Sequence, residues 1–267
     1  MNKIIESYLR KTYGFDSDSA SVNDYQKVTE ILVSDATMSH EHGEWDFSLF
    51  PNLQKIDCSY NPIDKLVISA NHKLEYIRFE GARGNIPHKI DFTGNPHLKT
   101  VRAGQDGVAE LDFSTNTELE ELSVFLNSSL RWLDIDSCTN LKKIQMQGVN
   151  IPFVDLTHCP NLELVDINYW NLYKNHCDEF GPGFPRPFVF VRDDFDESII
   201  DRETRTYDYY TYFLIRVKEG CPEERFLKLV KTMKEQMLSI PPDNYGRGVA
   251  RMHYCLLASY REIKDEE

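Results

Sequence analysis

The sequence predicts an α/β solenoid: mostly short parallel strands in stacked coils, with a helical N-terminal cap and an α+β C-terminal region. Three observations predict it. One column of leucines, Leu53, Leu74, Leu98, Leu119, Leu141 and Leu162, recurs at spacings of 21, 24, 21, 22 and 21 residues. A second apolar column, Trp45, Leu66, Ile90, Leu111, Leu133 and Val154, repeats those five spacings in the same order. Both columns take up the same three-residue insertion at the same turn. A unit of this length cannot bury its own apolar face, so neighbours must stack and share one continuous core.

Residues 1–44 read as the N-terminal cap. Ile4, Ile5, Tyr8 and Leu9 fall on one helical face, and Gly14 follows as a stop signal. Solenoid ends need a polar cover, which gives that helix a structural task. Val28 to Val33 reads as a first strand, and Asp35 to Glu44 as a loop containing His40-Glu41-His42.

Residues 45–171 read as the solenoid, ending near Trp170. Each unit has two apolar arms. The first reads Leu-x-x-apolar-x-apolar, as in Leu119, Leu122 and Val124; the second reads apolar-x-apolar-Ser/Thr, as in Leu111-Asp112-Phe113-Ser114. Alternation within each arm is the spacing of a strand. Two residues past the Ser/Thr position stands a column of small side chains, Asn71, Asn95, Asn116, Cys138 and Cys159. At an inward turn these residues are suited to bond backbone groups of the neighbouring coil. Residues 80 to 88 carry the insertion and are expected to bulge outward.

The segments Leu53-Gln54-Lys55-Ile56-Asp57-Cys58-Ser59-Tyr60-Asn61 and Ala109-Glu110-Leu111-Asp112-Phe113-Ser114-Thr115-Asn116 carry a family resemblance. The pattern resembles bacterial leucine-rich repeats of the short type, over about half the chain. The resemblance implies stacked coils and a binding role, without naming what is bound.

Residues 172–267 form the C-terminal region, set off by the breaker segment Phe180-Gly181-Pro182-Gly183-Phe184-Pro185-Arg186-Pro187. Phe188 to Val191 and Tyr209 to Val217 read as strands. Pro222-Glu223-Glu224 opens a helix that Phe226, Leu229, Val230, Met233 and Met237 continue and Pro241-Pro242 ends. Val249, Met252, His253, Leu256, Tyr260 and Ile263 suggest a last helix. The region is either a cap or a small domain with its own activity.

The chain of 267 residues has a net charge of -13, which argues against a nucleic-acid partner and suits a basic protein. The first residues are charged and lack the apolar run of a signal peptide, and no stretch approaches a membrane span. The expected location is the cytoplasm, with signal-less secretion as an effector left open. Of six cysteines, Cys58, Cys138 and Cys159 sit in core or ladder columns, so buried free thiols are expected instead of disulfides.

Two sets of outward residues are candidate protein-binding sites. Asp91, Asp112, Asp134 and Asp155 recur between the apolar residues of the second arm. Charges on coils about 4.8 Å apart repel by about 0.9 kcal/mol in water, so such a ladder must be solvated or neutralised. It serves its own turns, docks a basic protein, or holds a divalent cation. The first arm instead shows varied outward residues, among them Tyr76, Arg78, Arg102, Glu121 and Lys143. That variety fits a specific surface or an ordinary mixed one.

Other groupings carry less chemistry: His176-Cys177, His253 with Cys255, His40-Glu41-His42, Gly246-Arg247-Gly248, and the tyrosines 207, 209, 210 and 212. No catalytic residue, metal or cofactor is expected. The leading function is a non-enzymatic protein-protein interaction module, one form of it an immunity or effector-type binder of a basic protein. The alternative is an enzyme with its active site in the C-terminal region and repeats that select substrate.

Overall fold

A computed structural model describes residues 1–34, 43–81, 88–104, 107–127, 129–149, 151–167, 188–201, 212–238, 255–256 and 258–264. Helix α1 (Lys3–Tyr13) opens the chain. The Asn2 side chain accepts a hydrogen bond from Ile4 N–H, and Gly14 closes the helix at φ 76. Ile5 and Leu9 on its inner face are fully buried. A five-residue helix, α2 (Val22–Gln26), follows with a capping box between Ser21 and Asp24.

Each coil then contributes one strand per arm. The first arms are β1 (Glu30–Leu32), β3 (Lys55–Asp57), β5 (Tyr76–Arg78), β7 (Thr100–Arg102), β9 (Glu121–Ser123), β11 (Lys143–Gln145) and β13 (Leu164–Asp166). They form one parallel seven-stranded sheet in that order. Ile31, Ile56, Ile77, Val101, Leu122, Ile144 and Val165 stack in register as its inward row, all at most 1% exposed. The leucine column lies three residues before this row. Leu74, Leu98, Leu119 and Leu141 each donate their N–H to the ladder residue three positions back, so one turn is repeated from coil to coil.

The second arms are β2 (Glu44–Asp46), β4 (Lys65–Val67), β6 (Lys89–Ile90), β8 (Glu110–Asp112), β10 (Trp132–Asp134) and β12 (Phe153–Asp155). Their apolar column stacks as the spacings require: Trp45 opposite Leu66, and Ile90, Leu111 and Leu133 in one row. Unlike the first arms, they form separate short sheets. At one break the cause is visible. Arg131 and Trp132 both donate their N–H to Ala109 O. Pro152 stands where Arg131 stands one coil earlier, and without an N–H it cannot form that rung. The other break follows the insertion, whose residues 82–87 lie outside the described residues.

The small-residue column is a buried hydrogen-bond ladder. Asn71 Nδ2 donates to Phe47 O and Phe50 O, Asn95 Nδ2 to Ile68 O and Asn71 O, and Asn116 Nδ2 to Phe92 O and Asn95 O. Cys138 continues it, its Sγ 3.7 Å from Phe113 O and 3.8 Å from Asn116 O. Burial pushes the Cys159 thiol up to about 12, so it stays protonated and unreactive at neutral pH. Cys58, Cys138 and Cys159 are buried thiols outside any disulfide.

Stacking runs past both boundaries read from the sequence. Strand β1 pairs with β3 inside the expected N-terminal cap. At the other end β14 (Phe188–Arg192) pairs with β12, and β15 (Phe213–Val217) pairs with β14, all parallel. Val189 falls opposite Val154 and Leu214 opposite Val189, so the second apolar column continues into the C-terminal region. Helix α3 (Pro222–Leu238) then packs Phe226, Leu227 and Val230 inward. Its buried stripe turns toward Leu227, whereas Leu229, expected inside, is 38% exposed. Residues 258–264 are helical; Pro241-Pro242, Val249, Met252 and His253 lie outside the described residues.

The ladder makes a prediction about stability. Asn95→Ala removes two buried donors and leaves Ile68 O and Asn71 O of the preceding coil with one hydrogen bond fewer each, so chemical denaturation should show a loss of about 1–3 kcal/mol. A loss below about 0.5 kcal/mol would show that the ladder only fills space.

Candidate functional site: the two outward faces of the solenoid

The second-arm face changes character along the stack. Its first outward row reads Glu44, Lys65, Lys89, Glu110, then Trp132, Phe153, Phe188 and Phe213. The four aromatic residues meet α3 and the last helix. Phe188 lies 5.0 Å from Phe226 and 5.4 Å from Tyr260 between ring centroids, and Trp132 lies 5.5 Å from Phe153. These rings, with Phe190, Ile215, Val230 and Leu256, make a second core outside the coils. Burial of such side chains stabilises by roughly 1.5–3 kcal/mol each, so this end of the face is occupied by the chain itself.

The aspartate column lies in the adjacent outward row, and its carboxylates serve their own turns. Asp91 Oδ1 accepts from Thr93 N–H at 2.9 Å and Thr93 Oγ1 at 2.7 Å. Asp112 Oδ1 accepts from Ser114 N–H, Asp134 Oδ1 from Asp136 N–H, and Asp155 Oδ1 from Thr157 N–H and Oγ1. Asp46 and Asp57 do the same with Ser48 and Ser59. The Thr93 hydroxyl and amide hold the Asp91 carboxyl below the usual carboxylate range, against a smaller opposing effect of Asp112.

Asp155 departs from the expected solvent-facing ladder. It is 5% exposed, and the Lys231 ammonium of α3 sits 2.7 Å from its Oδ2 and 3.1 Å from Asp136 Oδ2. Burial alone would lower the Lys231 pKa, but these two carboxylates outweigh it and hold the ammonium above its ordinary value. Asp136, Asp155 and His158 bring ligand atoms within 4.8 Å of one another. Lys231 is the cation that this structure places against the two carboxylates.

The first-arm face is built differently. Glu30, Lys55, Tyr76, Thr100, Glu121, Lys143 and Leu164 form one outward row, and Leu32, Asp57, Arg78, Arg102, Ser123, Gln145 and Asp166 the other. From Lys55 to Gln145 these residues are exposed or half-exposed, except Ser123 at 4%. Of the five candidates here, Glu121 and Lys143 pair with each other at 2.8 Å, an exposed contact that water screens. Arg78 is held by Glu80, with Nε at 2.8 Å and Nη2 at 2.7 Å from Oε2, and Asp57 lies 3.6 Å away. Glu80 is 3% exposed, a buried partner that the sequence pattern did not reveal. Tyr76 lies under Lys55, whose Nζ is 5.1 Å from the ring centroid. Burial, with Asp57 adding to it, raises the Tyr76 pKa, so the hydroxyl stays a hydrogen-bond donor at neutral pH. The Arg102 guanidinium has no hydrogen bond or ion pair with any described residue, while its carbonyl accepts from Phe79 N–H.

Of the lesser groupings, His40-Glu41-His42, His176-Cys177, His253, Gly246-Arg247-Gly248 and tyrosines 207, 209 and 210 lie outside the described residues. Cys255 is exposed, and Tyr212 packs against the solenoid core. No described helix is long and apolar enough to cross a membrane.

Two predictions follow from these contacts. Thr93→Val should move the Asp91 pKa up toward the ordinary carboxylate value, read by NMR titration. A depressed folded pKa contributes stability that is fully present above the unfolded value of about 3.9 and is lost as pH falls through the folded value, so Thr93→Val should cost stability at neutral pH and progressively less below about pH 4. Lys231→Ala leaves buried Asp155 without its cation; discounted for the partial exposure of Lys231, the loss should be about 1–3 kcal/mol, with faster amide exchange in α3. Unchanged exchange in α3 would refute the clamp.

No protein-family model matches the chain, and no curated protein sequence matches it. Three solved structures from Listeria monocytogenes are similar to it in fold. Internalin C2 aligns over 80% of this chain and 92% of its own at 11% identity, with a TM-score of 0.47. Internalin InlF aligns over 71% and 64% at 13% identity, with a TM-score of 0.37. The functional domain of InlJ, which includes a cysteine ladder, aligns over 65% and 47% at 18% identity, with a TM-score of 0.31. The paired columns, parallel register and buried asparagine ladder make the repeat region of this chain a leucine-rich-repeat solenoid of the short type.

Proposed function

We propose that the chain is a non-enzymatic protein-interaction module that docks its partner on the outward face of the seven-stranded sheet. One observation carries this reading. The chain covers the C-terminal end of its second-arm face with α3 and an aromatic core, whereas the varied first-arm residues remain exposed or half-exposed. The face is about 30 Å long, from seven strands about 4.8 Å apart. That length suits a folded protein surface better than a small ligand, which needs a concavity. The described C-terminal residues pack as an aromatic core, which supports binding over an active site there.

The partner we infer is a protein of basic overall character, attracted by the charge of -13. Asp91, Asp112 and Asp134 contribute to that attraction while bonding their own turns. An immunity or effector-type binder is one form this role takes. Buried thiols outside disulfides at Cys58, Cys138 and Cys159 fit work in a reducing compartment such as the cytoplasm.

A photo-crosslinking residue placed at Gln145, and in a second variant at Glu110, tests the docking face in native cells. Gln145 should yield a discrete protein adduct that Tyr76→Ala diminishes, and Glu110 should yield little. Equal adducts from both positions, or adducts from Glu110 alone, would refute the assignment. With the partner in hand, Tyr76→Ala should speed dissociation, since buried aromatic anchors set residence time. Asp112→Asn with Asp134→Asn should slow association at low salt and leave the fold intact, because Asn keeps the acceptor oxygen. An association rate insensitive to salt and to both changes would remove the steering role.

A further inference from the structure

Arg102 is the least satisfied cation of the docking face, and its position is central. Strand β7 is the fourth of seven, with three first-arm strands on either side. Parallel register places Arg102 directly opposite Arg78 of β5 on one side and Ser123 of β9 on the other. The two arginines have different surroundings. Arg78 is held by buried Glu80 and faced by Asp57, so its charge is spent within the molecule. Arg102 meets no carboxylate among the described residues, although the chain holds 43 acidic side chains against 30 Lys and Arg. Among the described residues of so acidic a chain, a half-exposed arginine that meets no carboxylate is suited to receive an anion from outside. Its guanidinium offers a planar fork of donors suited to bidentate capture of a carboxylate.

We propose that Arg102 receives a carboxylate side chain of the partner protein, with Tyr76 beside it as the aromatic contact. This rests on the docking reading above and adds the chemistry of its central contact. The charge of -13 repels a wholly acidic partner, so the carboxylate belongs to a segment whose other charges are mainly basic. Glu80 also fixes the specificity of the site. By engaging Arg78 it prevents the two guanidiniums from acting together as a doubly charged receptor. The remaining single charge suits one carboxylate better than a phosphate dianion, which asks for more than one cation.

Selection of a displayed random peptide library against the full chain tests this. Enriched peptides should share one Asp or Glu at a fixed position, with Lys or Arg nearby. A synthetic peptide of the enriched sequence should lose about tenfold or more in affinity when Arg102→Ala is made, or when its acid is replaced by the amide. The two changes together should cost little more than either alone, as expected of partners in one contact. Arg102→Gln, with an unchanged melting profile, guards against loss of fold. Enriched peptides that lose affinity with Tyr76→Ala but not with either Arg102 variant would overturn the carboxylate contact and leave the docking face standing. Peptides insensitive to all three variants, or no enrichment at all, would count against both. Tighter binding of a peptide with phosphoserine in place of the acid would reassign the site to phosphate and overturn the inference.

Discussion

Parallel stacking of three-residue strands is the constraint on which the rest of this molecule depends. A strand so short buries little and makes few hydrogen bonds, so no coil is stable alone. Each coil therefore aligns with its neighbours at every level at once: the Ile, Val and Leu inward row, the leucine row before it, and the asparagine ladder at the turn. A slip of one residue would turn the whole inward row outward. The ladder adds a second penalty, because buried Asn side chains would then miss the carbonyls they serve. Register is held by packing and by hydrogen bonds together.

The same constraint dictates how the ends and faces are used. A parallel stack leaves an open edge at each end, and open edges invite pairing with other chains. Helix α1 packs Ile5 and Leu9 into the core beside β1. At the C-terminal side the chain extends the second-arm sheet through β14 and β15 and then folds α3 back over its outward face. Lys231 marks the joint, tying the helix to Asp155 and Asp136 of the repeat. The result is a molecule with two unlike faces: aromatic residues on one hold the chain's own helices, and varied polar residues on the other stay exposed or half-exposed.

The periodic part of this architecture was legible in the sequence because period is what a stacked coil must have. The two apolar columns and the Asn/Cys column lie in register as their spacing requires. The boundaries were less legible. Strand β1 lacks the leading leucine of the other first arms, and β14 follows a long non-repeating stretch, so neither shows the column spacing. The change of face at Trp132 and Phe153 was readable in principle, since Glu44, Lys65, Lys89 and Glu110 occupy the same row in earlier coils. It emerges only when both outward positions of the arm are followed, and the aspartate row alone conceals it. Contacts made through tertiary folding left no pattern: Lys231 reaches Asp155 from a distant helix, and Glu80 becomes the buried partner of Arg78 at a turn. These contacts tie Arg78 to Glu80, and Lys143 to Glu121, within the chain itself.

The division of labour between the two faces is measurable without any partner. Hydroxyl-radical footprinting of the intact free chain reports side-chain access residue by residue. The account predicts ready oxidation of Tyr76 and strong protection of Trp132, Phe188 and Phe226, until denaturant releases α3. Protection of Tyr76 together with ready oxidation of Trp132, Phe188 and Phe226 would contradict it, because the covered and the open face would then be exchanged.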